Sequence, residues 1–312
     1  MSGKWTAADI APQNGKRFIV TGANSGLGLE TTVGLAAAGA QVIMACRDPA
    51  RASAALAEVK RRAPGAGVEL ATLDLADLAS VRAFAHTLGS RNGRLDGLIN
   101  NAGVMALPFQ RTRDGFEMQI GTNHLGHFAL TGLLLDLLVA TPGSRIVNVA
   151  SLAHTMTPGL DLDDLNFERR RYNKWDAYGK SKLANLVFHF ELDRRLRKSG
   201  RGVVVAAAHP GYSATNLMFV GPAQERSAFS RWTMQIGNAL FSQTADMGAL
   251  PTLYATTAAD VNSGDYIGPD GWRQLRGYPR TVGCRDAARD ERTGAQLWAL
   301  SEQLTGVHYL DG

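Results

Sequence analysis

Tyr178 and Lys182 stand four residues apart in the stretch DAYGKSKLANLVFHFEL, residues 176–192. A phenol titrates near about 10, and a lysine cation beside it favours the phenolate, so the pair has the makings of a proton-transfer group. In a helix, positions i and i+4 share a face, which would hold the two side chains together. The same spacing arises on any solvated helical face, so the pair alone leaves both readings open. Leu183, Leu186, Val187 and Phe190 follow at helical spacing. They predict a helix with one face buried against a core and the pair on its first turns.

A second candidate lies far upstream. TGANSGLG, residues 21–28, follows the short β-rich run KRFIVTG and leads into the helical composition of LGLETTVGLAAAGA. A glycine turn at that junction, made of Gly22, Asn24, Ser25, Gly26, Leu27 and Gly28, lets a pyrophosphate approach the positive end of a helix. The strand-turn-helix context favours dinucleotide binding over a plain tight turn. The next strand ends in MACRDPARA, with Cys46 where an acid would bond the ribose hydroxyls of NAD, and Arg47 beside it. A guanidinium suits the 2′-phosphate of NADP, so NADP(H) is the expected cofactor, with NAD as the alternative. Asp48, just before Pro49, reads as the cap of the following helix.

The elements that must position these residues alternate along the chain. KRFIVTG, QVIMAC, VELATL, LDGLIN, SRIVNVA and GVVVAAA are strand candidates. Between them lie helices at PARASAALAEVKRRA, DLASVRAFAHTLG, an apolar segment around 117–139, and the segment bearing Tyr178. Repeated βα units predict an α/β fold, a Rossmann-type doubly wound parallel sheet with helices on both faces. After residue 212 the rhythm weakens, although QTADMGALPTLYATTA looks helical and GDYIGPDG looks like a last short strand. No linker composition or internal repeat interrupts the 312 residues. A single domain over 1–312 is expected, with a cofactor and catalytic core over about 15–220 and a substrate lid and C-terminal extension over about 216–312.

Composition narrows the partners. The formal charge is +5 and the pI about 9.4, but the arginines are spread among many acids. The densest cluster, ERRRYNK at 168–174, is short and reads as a solvated face, so no nucleic-acid partner is expected. Two cysteines, Cys46 and Cys284, lie far apart without a CxxC or His-rich neighbourhood, which predicts neither a disulfide nor a metal site. The amino terminus has no signal-like apolar core, and the longest apolar run, LTGLLLDLLVA, is interrupted by Asp136. No membrane span and a cytoplasmic location are the expectations.

Six motifs carry a family resemblance: TGANSGLG, NNAG at 100–103, TNHLGHF at 122–128, VNVASLAH at 147–154, YGKSK at 178–182 and HPGYSAT at 209–215. In order and spacing they resemble the short-chain dehydrogenase/reductase family. ACRD, NHLGHF, SKLAN and HPG resemble its branch of retinol dehydrogenases, WW-domain oxidoreductase and protochlorophyllide reductase. The resemblance implies a catalytic tetrad of Asn123, Ser151, Tyr178 and Lys182. Tyr178 would be the acid/base and Lys182 its electrostatic partner, also holding the nicotinamide ribose. Ser151, just past a strand end, would orient the substrate oxygen, and Asn123 would help to hold a relay water. It further implies cofactor contacts at Asp74 and Leu75, at Asn101, Ala102 and Gly103, and in a nicotinamide loop at Pro210, Gly211, Ser213 and Thr215. His154 and His209 read as pocket or packing residues.

The expected reaction is hydride transfer between NADP(H) and a small hydrophobic carbonyl or alcohol. A binding-only NADP(H) sensor or scaffold is the alternative, disfavoured because such a protein has no need of a proton donor at Tyr178. Phe219, Phe229, Trp232, Met234 and Phe241 read equally as an apolar lid or as the buried face of an ordinary helix. Many retinol-active relatives carry a membrane anchor that no stretch here resembles, which points away from retinoids. Relatives often pair through two long helices, so a homodimer or homotetramer is the default. The tail GCRDAARDERTGAQLWALSEQLTG could instead cover that surface and leave a monomer.

Overall fold

Along β1 (Arg17–Thr21), Phe18 and Val20 join one buried cluster while Ile19 joins another, the period-two alternation of a strand covered on both faces. β2 (Gln41–Cys46) repeats it, with Val42 and Met44 on one side and Ile43 on the other. In the computed structural model, which describes residues 4–90, 93–212 and 243–310, these strands belong to an eight-stranded sheet ordered β3-β2-β1-β4-β5-β6-β7-β8. The others are β3 (Val68–Thr72), β4 (Gly97–Asn100), β5 (Arg145–Val149), β6 (Val204–Ala208), β7 (Tyr266–Pro269) and β8 (Pro279–Thr281). Every pairing is parallel except β7 with β8. The doubly wound α/β expectation holds.

Helices cover both faces. α1 (Gly26–Ala37), α2 (Pro49–Arg62) and α7 (Ala245–Thr257) supply Leu35, Val59 and Leu253 to the cluster around Val20 and Met44. α3 (Leu78–Gly89), α5 (Gly126–Val139), α6 (Lys174–Lys198) and α8 (Glu291–Thr305) bring Phe84, Leu134, Leu192 and Trp298 to the cluster around Ile19 and Ile43. Asp48 caps α2 as its place before Pro49 predicts, its carboxylate accepting from the amides of Ala50 and Arg51 at 3.0 and 3.1 Å.

Three features depart from the simple βα rhythm. The apolar segment around 117–139 is not one regular helix: α4 (Met118–Ile120) passes into a π-helical turn, Gly121–Leu125, before α5. There the Gly126 amide reaches back five residues to the Gly121 carbonyl. A π turn carries one extra residue and re-aims the side chains within it. β8 is a three-residue antiparallel edge, too short and too exposed to leave a periodic trace. Finally, α8 and the residues after it pack on α5 and α6. Trp298 and Tyr309 lie against Phe128 with ring centroids 5.1 and 4.9 Å away, and the Tyr309 hydroxyl donates to the Phe128 carbonyl at 3.1 Å. The chain therefore covers these two long helices with its own tail.

Within ERRRYNK, Arg169 and Arg171 are exposed, as a solvated face requires, and Arg170 is half-buried. Arg170 pairs with Asp161 and lies over the Phe167 ring at 4.1 Å, and Arg169 donates to the Asp163 carbonyl.

Candidate active site

The strand order reverses between β1 and β4, and at such a switch point the carboxyl ends of the strands part and leave a crevice. A cleft of about 280 Å³ opens there. Gly22, Asn24, Ser25, Gly26, Leu27 and Gly28 form one wall, with Arg47 after β2, Asp74 and Leu75 after β3, and Asn101, Ala102 and Gly103 after β4. The first turn is tight enough to exclude side chains. A Cβ on Gly28 would sit 2.4 Å from the Gly22 carbonyl oxygen and 2.5 Å from Asn101 Nδ2, and Gly22 itself has φ of +65°. Bare backbone at the start of α1 thus faces the cleft, as a pyrophosphate requires.

The turn after β4 is fastened to β1. Thr21 Oγ1 accepts from the amides of Asn101 and Ala102, each at 2.9 Å, and Asn101 Nδ2 donates to the Thr21 carbonyl at 2.7 Å. The Thr21 hydroxyl lies 2.9 Å from His127 Nε2, whose Nδ1 is 3.0 Å from the Asn123 carbonyl oxygen. A carbonyl only accepts, so Nδ1 carries the proton and Nε2 accepts from Thr21. Burial keeps this ring neutral, pushing His127 down to about 4.

Asn123 lies within the π turn and is wholly buried. Its Oδ1 accepts from the Val104 amide at 2.8 Å, and its Nδ2 donates to the Val104 carbonyl and to Ser181 Oγ, each at 2.9 Å. The side-chain amide therefore clamps the backbone that follows Gly103. A Cβ on Gly103 would meet both Asn123 Oδ1 and Lys182 Nζ, at 3.3 and 3.4 Å, so the cleft leads directly to the lysine.

Tyr178 and Lys182 do sit on the first turns of α6, but buried rather than on a wet face, with exposures of 5% and 3%. Lys182 Nζ donates to the Val149 carbonyl at 3.1 Å and lies 6.0 Å from the centre of the Tyr178 ring. Ser151 caps a short turn after β5, its Oγ accepting from the Ala153 amide at 3.1 Å. The electrostatics correct one expectation. Lys182 does not draw the phenol toward neutrality; burial pushes Tyr178 up to about 12, opposed by a side-chain hydrogen bond with Ser151. Burial also pushes Lys182 down to about 8. Desolvation, which disfavours the charged form, is the first cause of both shifts.

Comparison with known proteins fits this geometry. Residues 16–161 match the family model described as short chain dehydrogenase. Human retinol dehydrogenase 13 is 44% identical over 297 residues, covering 94% of this chain and 85% of that protein. Mouse retinol dehydrogenase 14 is 42% identical over 311 residues, covering 96% and 88%. The chain is a short-chain dehydrogenase/reductase. A crystal structure of a Mycobacterium paratuberculosis protein, 44% identical, superposes with a TM-score of 0.81 over 98% of this chain and 99% of that one. An NAD(P)-dependent dehydrogenase structure from Beutenbergia cavernae with bound NADP is 25% identical, with a TM-score of 0.61 over 79% of this chain and 91% of that one. As a member of this family of NAD(P)-binding oxidoreductases, the protein carries its glycine turn, asparagine, serine, tyrosine and lysine in one connected region.

Some site residues of this dehydrogenase were not anticipated. Arg51, one helical turn beyond Arg47, also lines the cleft, and neither guanidinium forms an ion pair among the described residues. The spacing of two arginines across the start of α2 was the available signal. Thr21 and His127 left none, because their partners come from β4 and the π turn. Asp48 also borders the cleft, with its carboxylate committed to the helix cap. Pro210 and Gly211 follow β6, where Gln243 Nε2 donates to the Pro210 carbonyl at 2.6 Å. Ser213, Thr215 and the aromatic segment at 217–241 lie outside the described residues. A larger depression, about 770 Å³ between Leu160–Asp164 and Thr293–Gln303, includes none of the tetrad. Among the described residues no cluster of His, Cys, Asp and Glu could hold a metal, and no helix is long and apolar enough to cross a membrane.

Proposed function

We propose that this oxidoreductase transfers hydride between NADP(H) and a hydrophobic carbonyl or alcohol, with Tyr178 exchanging the proton on the substrate oxygen. The observation that carries this reading is the meeting of Asn123 and Lys182 at Gly103, on the wall of the cleft, with the Tyr178 ring 6.0 Å from the lysine nitrogen. NADPH, when bound, supplies the hydride. Arg47 and Arg51 would hold its 2′-phosphate, and the bound NADP of the Beutenbergia relative agrees with that choice. A phenol held near 12 remains protonated throughout the neutral range, as the donor for carbonyl reduction must be. The Ser151 hydroxyl would orient the substrate oxygen, and the lysine cation would stabilise the phenolate as it forms. Met105, Ala106, Ala153 and Tyr178 form a buried apolar cluster with Tyr212 against it. This wall suits an apolar substrate, and relatives named for retinol, itself a hydrophobic alcohol, point the same way. The whole chain, 1–312, serves as one domain in this reading, with the region after residue 216 as lid and extension. The tail lying over α5 and α6 favours a monomer over pairing through those helices.

The test is turnover of a panel of apolar aldehydes and ketones with NADPH and with NADH. Reduction of at least one member with preference for NADPH supports the proposal. Normal cofactor binding with no turnover across the panel supports a sensor instead. The alkaline side of the pH profile gives a sharper check. Lys182 loses its proton as pH rises through about 8, whereas Tyr178 keeps its own until about 12. Reduction is therefore expected to fall as pH rises above that lower value. Lys182→Arg, whose charge persists, should flatten the decline in whatever activity remains. A parent profile flat through this range would show that the lysine charge does not matter.

A further inference from the structure

Two buried histidines lie beside the site without a part in the chemistry above. His154 is 1% exposed, and its Nδ1 lies 2.7 Å from the carbonyl oxygen of Ser151. Nδ1 must carry the proton, which leaves Nε2 an acceptor with no hydrogen-bond partner among the described residues. His209, directly after β6, accepts from the Gly211 amide at Nδ1, 3.2 Å away, and Nε2 lies 3.0 Å from Gln274 Oε1. Burial lowers both histidines, His209 to about 4, so the rings are neutral and their partners fix the tautomers.

Tyr266 of β7 stands between them. Its ring centroid is 5.9 Å from that of His154 and 5.1 Å from that of His209. The Tyr266 hydroxyl is buried and, among the described residues, unmatched. A phenylalanine would fill the space without that cost, so apolar packing does not explain the choice of residue. Behind His209, β7 carries Gly268. A Cβ there would lie 2.1 Å from His209 Nε2, and its three nearest atoms would all belong to that ring.

We propose that His154, Tyr266 and His209 are positioning residues: one buried row of edge-on and tilted rings that holds Ser151 and the backbone at Gly211 in fixed register. The inference rests on the hydride-transfer reading, in which Ser151 seats the substrate oxygen and Gly211 opens the nicotinamide loop. Each histidine grips the backbone of one of these residues, and Tyr266 transmits the position of one ring to the other. Misplacing reacting groups by about 1 Å can cost about 100-fold in rate, so a row that sets their relative position has catalytic consequence without touching substrate.

The experiment measures kcat and KM for a reducible carbonyl, and NADPH affinity by nicotinamide fluorescence, on the full chain. His154→Ala should lower kcat about 10-fold with KM and NADPH affinity within about twofold, and His154→Asn, which keeps a donor where Nδ1 stood, should restore most of it. His209→Ala should lower kcat about 10-fold and also weaken NADPH binding about 10-fold, and Gly268→Ala should do the same by displacing the ring. In the His209→Ala background the added Gly268→Ala should cost nothing more, and the His154→Ala, His209→Ala double variant should lose less kcat than the product of the singles. If His209→Ala does not fold, His209→Asn serves in the same cycles. The proposal is overturned if Gly268→Ala costs the same in both backgrounds, if the two histidines act independently, or if His154→Asn is as impaired as His154→Ala. A parent protein without turnover would sink the hydride-transfer reading, whereas the NADPH titrations of the Gly268 and His209 variants would still decide the loop half of the row.

Discussion

Tyr178→Phe is expected to lower kcat for carbonyl reduction about 1,000-fold, the scale of losing a positioned general acid, while NADPH affinity stays within about twofold. The change removes one oxygen from a ring that is 5% exposed and packed with Met105, Ala106 and Ala153, so the volume of the site is kept. What disappears is the proton and the influence of the Ser151 side chain on it. Loss of one hydroxyl from a site whose packing is kept costs about 1 kcal/mol at most, and the melting temperature should move by only a few degrees. Steady-state kinetics, cofactor fluorescence and thermal unfolding on the same preparation separate these effects. Undiminished turnover in the phenylalanine variant would remove Tyr178 from the chemistry.

Removing the two cleft arginines should have the next largest effect, on cofactor choice. Hydrogen bonds to charged groups contribute about 1.5–3 kcal/mol, so Arg47→Ala is expected to weaken NADPH about 10- to 100-fold while leaving NADH within about twofold. Arg51→Ala should weaken NADPH less, because its side chain starts a turn further along α2. Together the substitutions should leave NADPH and NADH nearly equal. Raising the salt concentration should narrow the parent's preference too, because both guanidiniums are exposed and screened. Titration of each cofactor by fluorescence measures this directly. Equal affinity for the two cofactors in the parent would end the argument for NADP(H).

The sequence carried the sheet because its inner strands are apolar on both faces; Val42, Ile43 and Met44 cannot be satisfied except between two layers of helices. It carried the glycine turn because no side chain fits at Gly28. It did not carry β8, where three residues at an edge need no periodicity. Nor did it carry the π turn, since an insertion of one residue in a continuous apolar segment changes no letter that a helix would forbid. The proton network from Asn101 through Thr21 and His127 to Asn123 was hidden for another reason. Its partners lie 80 and 106 positions from Thr21, and only the finished sheet brings them together. The direction of the Tyr178 shift was misread because proximity to Lys182 is visible in a helix, whereas full burial of both groups is not.

The tail over α5 and α6 bears on how the chain is made. Tyr309 reaches a carbonyl belonging to a residue synthesised 181 positions earlier. At the usual pace of translation, about 5–20 residues per second, the Phe128 carbonyl would wait about 10–35 seconds for this cover. During that interval the flank of the nascent sheet around Phe128 would lack the rings of Trp298 and Tyr309. Completion of this core therefore depends on Trp298, Val307, Tyr309 and Leu310, among the last residues to be made and remote from the proposed chemistry.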